Sequence, residues 1–158
     1  MQVESQELRV FYSTSLPNKK KLFEKLSEIL SEASGCSFEK VLDSLTSRER
    51  MGSTCIGDGV AIPHSKFNIE QPIGVIISLS EAIDCGNKED KVSVIFGLLI
   101  PEEQCQEHLS LLSSIATNCR TGDWLSELKA HQSEQSLKDF IAQSDLDLEP
   151  FRYESSHS

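Results

Sequence analysis

One run of residues, Val92-Ser-Val-Ile-Phe-Gly-Leu-Leu-Ile100, leaves this chain few ways to fold. It is apolar on nearly every position, so a strand built from it buries both of its faces. The unbroken part, Val94 to Ile100, is far too short to cross a bilayer, which takes about 20 apolar residues. Pro101 ends the run, because proline offers no N–H to a ladder. A strand buried on both faces belongs in the middle of a sheet with a layer packed on each side.

The rest of the chain supplies those layers. Leu8, Val10 and Tyr12 alternate with Arg9 and Phe11 as in a short strand, and Gly74 to Ser80 is a β-branched strand. Asp84 to Asp90 reads as a turn region, and Ser65 to Pro72 as a polar loop. Pro17 opens a helix in which Leu22, Phe23, Leu26, Ile29, Leu30 and Ala33 follow helical spacing up to Gly35, a good stop. Ser37 caps a second helix with the stripe Phe38, Val41, Leu42 and Leu45, ending near Met51. Glu102 to about Arg120 is a third, with Leu109, Leu112, Ile115, Ala116 and Cys119 on one face. Trp124, Leu125 and Leu128 mark a short helix, and Leu137, Phe140 and Ile141 the last one. Strands interleaved with helices predict an α/β domain over residues 1–143: a mixed sheet with helices packed on it. From Ser144 the periodicity is lost, and 144–158 reads as an acidic, serine-rich tail.

Charge and cysteine content narrow the function. The formal net charge is −10, which argues against nucleic acid, whose binders present a basic patch. The single basic run, Lys19-Lys20-Lys21, falls at a predicted helix start and reads as a solvated face. Five widely spaced cysteines, odd in number and without a Cys-x-x-Cys pair, suggest reduced thiols and a cytoplasmic protein. The first residues carry no basic-then-apolar signal pattern, and no membrane insertion is expected.

The chemistry points to the stretch from Arg48 to His64. Gly52, Ser53, Thr54, Gly57, Asp58 and Gly59 are small and polar, followed by the short buried strand Val60 to Ile62, then Pro63 and His64. Proline stops the ladder and fixes φ just before the histidine. Neutral imidazole is a nucleophile near pH 7, since its ordinary pKa is about 6.5. One ring nitrogen attacks while the other keeps the proton, held by a carbonyl or carboxylate. Other chemistries fail on spacing. Gly57-Asp-Gly59 lacks the third glycine of a dinucleotide fingerprint, and no Gly-Lys-Ser/Thr follows a phosphate loop. Cys105 and His108, three apart, lack two further metal ligands. Cys55 with His64 lacks a third residue to orient a thiol–imidazole pair.

Gly52-Ser-Thr-Cys-Ile-Gly-Asp-Gly-Val-Ala-Ile-Pro-His64 resembles the phosphorylation motif of type-2 EIIA domains of the phosphoenolpyruvate-dependent phosphotransferase system. The resemblance runs from about Lys19 to Ile141 and implies a roughly five-stranded mixed sheet flanked by helices. It implies that His64 accepts a phosphoryl group, at Nε2, from the phosphocarrier HPr or a nitrogen-branch counterpart. Arg48 stands at the spacing of the family's active-site arginine, and His108, after Glu107, resembles its second active-site histidine. Arg48 offers a permanent charge and a donor fork to phosphate oxygens; its bland alternative is a cation complementing a helix C-terminus. Arg50 competes for the same role, less well on spacing. Ser53, Thr54 and Ser65 are candidate phosphate donors, although Ser53 and Thr54 also suit loop hydroxyls bonding their own backbone. The chain departs from the motif at Ser65 and Cys55, where glycine is frequent. His131 and His157 look exposed and carry no role. No metal or cofactor is required, because the donor is a protein phosphohistidine.

Ser-Arg-Glu-Arg-Met-Gly-Ser-Thr and Phe-Gly-Leu-Leu-Ile-Pro look closest to the nitrogen-regulatory branch, where phosphorylation is a signal read by target proteins. Two alternatives stay open: a sugar-uptake EIIA serving a fructose- or mannitol-type EIIB, and a non-catalytic binding module.

Overall fold

The computed structural model describes residues 9–13, 16–84, 91–103, 105–120 and 123–143, with 105–111 described by their backbone alone. In chain order the elements are β1 (Arg9–Ser13), α1 (Lys19–Ser34), α2 (Phe38–Met51), β2 (Cys55–Gly57), β3 (Val60–Ala61), β4 (His64–Phe67), β5 (Ile73–Asp84), β6 (Lys91–Pro101), α3 (Cys105–Arg120), α4 (Trp124–Ala130) and α5 (Glu134–Gln143). The sheet runs β1-β5-β6-β3-β2, and β4 also pairs with β6. It is mixed: β1 lies parallel to β5, β5 antiparallel to β6, β6 parallel to both β3 and β4, and β2 antiparallel to β3. Six strands therefore occupy five positions across the sheet, since β3 and β4 follow one another along the same edge of β6.

The predicted central strand is β6, bonded along both edges and buried almost throughout. Its alternate residues serve two cores. Val94, Phe96, Leu98 and Ile100 pack with Ile76 against Ile115, Leu128 and Leu137 of α3, α4 and α5. Ile95 and Leu99 pack with Val75 and Ile77 against Leu22, Leu26, Val41 and Leu45 of α1 and α2. On that second face Gly97 makes room for α1. A Cβ there would sit 2.7 Å from Leu26 Cδ2 and 3.3 Å from Val75 Cγ1.

Gly35 and Ser37 act as the stop and the cap expected from the residues, whereas α1 starts at Lys19, two residues after the Pro17 expected to open it, behind an N-cap that was not foreseen. Asn18 Oδ1 accepts from the Lys21 N–H at 2.9 Å and opens α1. Gly35 closes it at φ 78°, donating its N–H to the Ser31 carbonyl. Ser37 Oγ accepts from the Lys40 N–H at 3.3 Å and opens α2, which ends at Met51.

Three expectations need correcting. Residues 65–67, assigned to a polar loop, continue from His64 as β4, because Pro63 interrupts the ladder without ending it. Leu98 donates its N–H to the Pro63 carbonyl at 3.0 Å, and the register continues unslipped: Ala61 faces Ile95 before the proline and His64 faces Leu98 after it. The strand reads as polar because, among the described residues, only β6 pairs with it. Second, β2 was not foreseen at all; it is three residues long and its pairing with β3 is irregular. Third, Cys36 and Cys119 are free thiols, but Cys55 is disulfide-bonded, so the expectation of reduced thiols fails there. Leu8, most of the turn at 84–90 and the tail 144–158 lie outside the described residues.

A side chain at Gly97 must displace a fully buried leucine. Gly97→Val is expected to destabilise the fold by about 1–3 kcal/mol, the usual cost of overpacking, read as a lowered urea midpoint at unchanged slope.

Candidate functional site

The site forms where the C-terminus of α2 meets the hairpin β2–β3. The hairpin turn puts three consecutive residues in left-handed backbone: Gly57 at φ 94°, Asp58 at 58° and Gly59 at 80°. Only glycine takes such angles without cost, and aspartate tolerates them better than most. Outside bonds hold this turn. Lys129 Nζ of α4 donates to the Asp58 carbonyl at 2.9 Å. Ser93 and Val94 of β6 both donate N–H groups to the Gly59 carbonyl, at 2.9 and 3.0 Å. The chain then passes through buried Ile62 and Pro63 to His64, which is half-buried.

The His64 ring is fixed by its own backbone: Nδ1 lies 2.7 Å from the Ile62 carbonyl oxygen. A carbonyl only accepts, so the neutral ring carries its proton on Nδ1 and leaves the Nε2 lone pair free. Burial, the largest influence, pushes the imidazole pKa below its ordinary value. The hydrogen bond to Ile62 opposes that shift; the positive charge of Arg48 adds to it, and the negative charge of Glu49 opposes it. The net direction is down, so the ring is neutral at pH 7.

A cleft of about 280 Å³ opens beside His64, lined among others by Arg48, Ser53, Thr54, Leu112 and Ala116. Arg48 reaches back to donate to the Gly52 carbonyl at 3.0 Å, which holds it over the start of the glycine loop. Ser53 borders the cleft, and its Oγ accepts from the Cys55 N–H at 3.1 Å. Thr54 also borders it, but its hydroxyl is spent: Oγ1 donates to Glu49 Oε1 at 2.7 Å. Ser65 is not brought to the cleft. It alternates with His64 along β4 and points to the other sheet face, where its buried hydroxyl bonds Ser44 of α2. Arg50 is exposed and lines a separate cleft between α1 and α2, which removes it from competition with Arg48. His108 falls within α3, where its side chain lies outside what the structure describes, as does that of Cys105. His131, expected to be exposed, is half-buried against Phe140, with ring centroids 5.1 Å apart. His157 lies outside the described residues. Among the described residues, no three His, Cys, Asp or Glu side chains converge as metal ligands, and no helix is long and apolar enough to cross a membrane.

Two contributors escaped sequence reasoning. Ile62 acts through its carbonyl, which no side-chain pattern reveals. Glu49 left a signal: a carboxylate in the last turn of a helix opposes the macrodipole and needs a compensating partner.

A mixed sheet with helices on both faces thus carries a half-buried, neutral histidine beside an arginine at its rim. The family model described as phosphoenolpyruvate-dependent sugar phosphotransferase system, EIIA 2, matches residues 5–144, and the chain belongs to that family. It is 33% identical over 130 residues to a nitrogen regulatory protein of Klebsiella oxytoca, covering 80% of each chain. The crystal structure of the nitrogen regulatory protein IIA-Ntr from Neisseria meningitidis superimposes with a TM-score of 0.79 at 31% identity, over 87% of this chain and 97% of that one. The Escherichia coli mannitol enzyme IIA, solved in complex with its phosphorylated enzyme IIB, shares the fold, with a TM-score of 0.70 at 19% identity over 90% and 99% of the two chains. Within its family the chain thus stands with the regulatory, nitrogen-branch EIIA proteins.

The charges around His64 make a prediction for its titration. Its NMR midpoint is expected below the ordinary 6.5. Arg48→Ala should move that midpoint upward, since the charge that disfavours imidazolium is gone. A midpoint at or above 6.5 in the wild type would contradict the burial argument. Because the folded ring binds its proton more weakly than the unfolded one, this group's contribution to stability is full above pH 6.5 and declines as the pH falls toward the folded midpoint.

Proposed function

We propose that His64 is a phosphoryl acceptor, and that the protein is a regulatory EIIA charged by the phosphocarrier HPr or its nitrogen-branch counterpart. The observation that carries the reading is the hydrogen bond from Nδ1–H to the Ile62 carbonyl, which leaves Nε2 as the free nucleophile on the cleft side. In the transfer the Nε2 lone pair attacks phosphorus, the P–N bond to the donor's imidazole breaks, and that ring leaves with the bonding pair. The positive charge forming on the His64 ring is spread toward Nδ1–H and met by the Ile62 carbonyl. The three equatorial oxygens are met by donors, chiefly the Arg48 guanidinium, whose fork suits phosphate. Ser53 and the N–H groups of the glycine loop are the nearest further donors. Position 108 stands one and two helical turns before Leu112 and Ala116, which line the cleft, so His108 is retained as a second phosphate ligand. No cofactor enters this scheme, and the cytoplasmic placement rests on the family alone, since the bonded Cys55 no longer supports it.

Regulation is favoured over sugar uptake because the nitrogen regulatory relatives match about four-fifths of the chain at 28–33% identity. The second reading, transfer onward to an EIIB domain, is supported by the mannitol enzyme IIA that shares this fold and was solved with phosphorylated enzyme IIB.

Labelled phosphate supplied through phosphoenolpyruvate, Enzyme I and HPr should appear on the wild type as an acid-labile, alkali-stable group and be absent from His64→Ala. Arg48→Ala should keep its fold and be charged about 100-fold more slowly, the loss typical of one transition-state donor. Equal labelling of wild type and His64→Ala would move the acceptor elsewhere. No label on the folded wild type with cognate carriers would favour a binding module.

A further inference from the structure

Glu49 and Lys19 occupy helix ends where their charges are unfavourable. Lys19 opens α1, at the positive end of that helix dipole, and Glu49 sits in the last turn of α2, at a negative end. The two helices are consecutive and antiparallel, so these ends meet. Lys19 Nζ donates to Glu49 Oε2 at 2.8 Å, and the Glu49 side chain is only 10% exposed. The pair therefore offsets two local penalties, and its shielding from water strengthens it.

The carboxylate faces the glycine loop as well. Thr54 donates its hydroxyl to Oε1 at 2.7 Å and its N–H to both carboxylate oxygens at 3.3 Å. The carbonyl of the same Thr54 accepts the Ile62 N–H at 3.0 Å. The carbonyl of that same Ile62 accepts the His64 Nδ1–H at 2.7 Å. A continuous series of hydrogen-bonded residues thus runs from the first residue of α1 to the His64 ring, through one largely buried carboxylate and the backbones of Thr54 and Ile62.

We infer that Glu49, clamped by Lys19, is a positioning residue: through Thr54 it holds the backbone of Ile62 at its N–H, and the Ile62 carbonyl on the other side of the same Cα sets the tautomer and aim of His64. This deepens the reading of His64 as phosphoryl acceptor and rests on it for its kinetic consequence, but not for its structural one. Thr54 then serves as the middle member of the clamp and not as a phosphate donor. A carboxylate is suited to the task because it accepts several bonds at once, and acceptor capacity is what an N–H, an O–H and an ammonium all require.

The test combines two readouts on Glu49→Ala, Glu49→Gln and Thr54→Val. Imidazole ¹⁵N spectra of the unphosphorylated proteins report which ring nitrogen of His64 holds the proton. Transfer kinetics from phosphorylated HPr report kcat and KM separately. Glu49→Ala and Thr54→Val should each mix the two tautomers and lower kcat by about 10- to 100-fold, as expected for a misplaced reacting group. KM for the phosphodonor should stay within about twofold, because no contact with the donor is removed. Glu49→Gln, which keeps one carbonyl acceptor for Thr54, should recover part of the loss. The double variant should be no worse than either single one, because both break the same chain. A folded Glu49→Ala protein with an Nδ1–H tautomer as pure as the wild type's would overturn the clamp, as would independent, additive losses in the double variant. If tautomers mix as expected while the wild type takes no phosphate, the clamp stands and the acceptor reading falls.

Discussion

Strand β6 is bonded along both edges and buried on both faces, and the rest of the fold is arranged around satisfying it. Its backbone leaves no donor or acceptor to water over most of its length, so β5 must cover one edge and β3 with β4 the other. Its side chains must be covered twice, which consumes α1 and α2 on one face and α3, α4 and α5 on the other. Within that frame Pro63 can drop one N–H from the ladder only because its carbonyl remains bonded to Leu98. The register is thereby preserved across the break, and His64 keeps a defined facing residue, Leu98, instead of swinging on a loop.

Alternation along β4 then separates chemistry from scaffold. His64 shares the face of Leu98 and looks toward α3, where Leu112 and Ala116 line its cleft. Ser65, one residue on, shares the face of Leu99 and is tied to α2. The same period that lets β6 feed two cores lets two adjacent residues of β4 serve different purposes. The site's electrostatics follow from this placement. Burial on the α3 side keeps the imidazole neutral, while Arg48 and Glu49, adjacent on α2, pull its proton affinity in opposite directions. Glu49 itself titrates below its ordinary range. Burial pushes its carboxyl up, but the hydrogen bonds from Lys19 and Thr54, with the Lys19 charge, outweigh that.

Much of this was legible in the sequence where side-chain pattern and local chemistry agree. The apolar run of β6, the stripe of α1 with its Gly35 stop, the Ser37 cap of α2 and the glycine-rich approach to His64 each follow from residue type alone, whereas Phe38, read into the buried stripe of α2, is exposed. What was missed depends on pairing. Residues 65–67 carry a polar pattern because they belong to a strand bonded on one side, so periodicity reads them as a loop. Strand β2 is too short and too rich in small residues to announce itself. Thr54 reads as a phosphate donor because hydroxyls near glycines commonly are, and only the tertiary position of Glu49 shows that its proton is already committed. Glu49 is visible in the sequence only as an acid at an unfavourable helix end.

Ser65 shows how a departure from a motif can be absorbed without touching the chemistry. A glycine there would leave the α2 face of β4 with no side chain to bond; serine fills it with a hydroxyl that finds Ser44. The buried hydroxyl is satisfied, so its burial costs little. The bond ties β4 to α2, the helix that also carries Arg48 and Glu49. A substitution that a sequence reading assigns to phosphate contact thus acts, by the parity of the strand, on the mechanical link between the strand of His64 and the helix that carries Arg48. Such a link stiffens the geometry of Arg48 relative to His64 while presenting nothing to the cleft, and this explains why a polar residue is tolerated one position from His64.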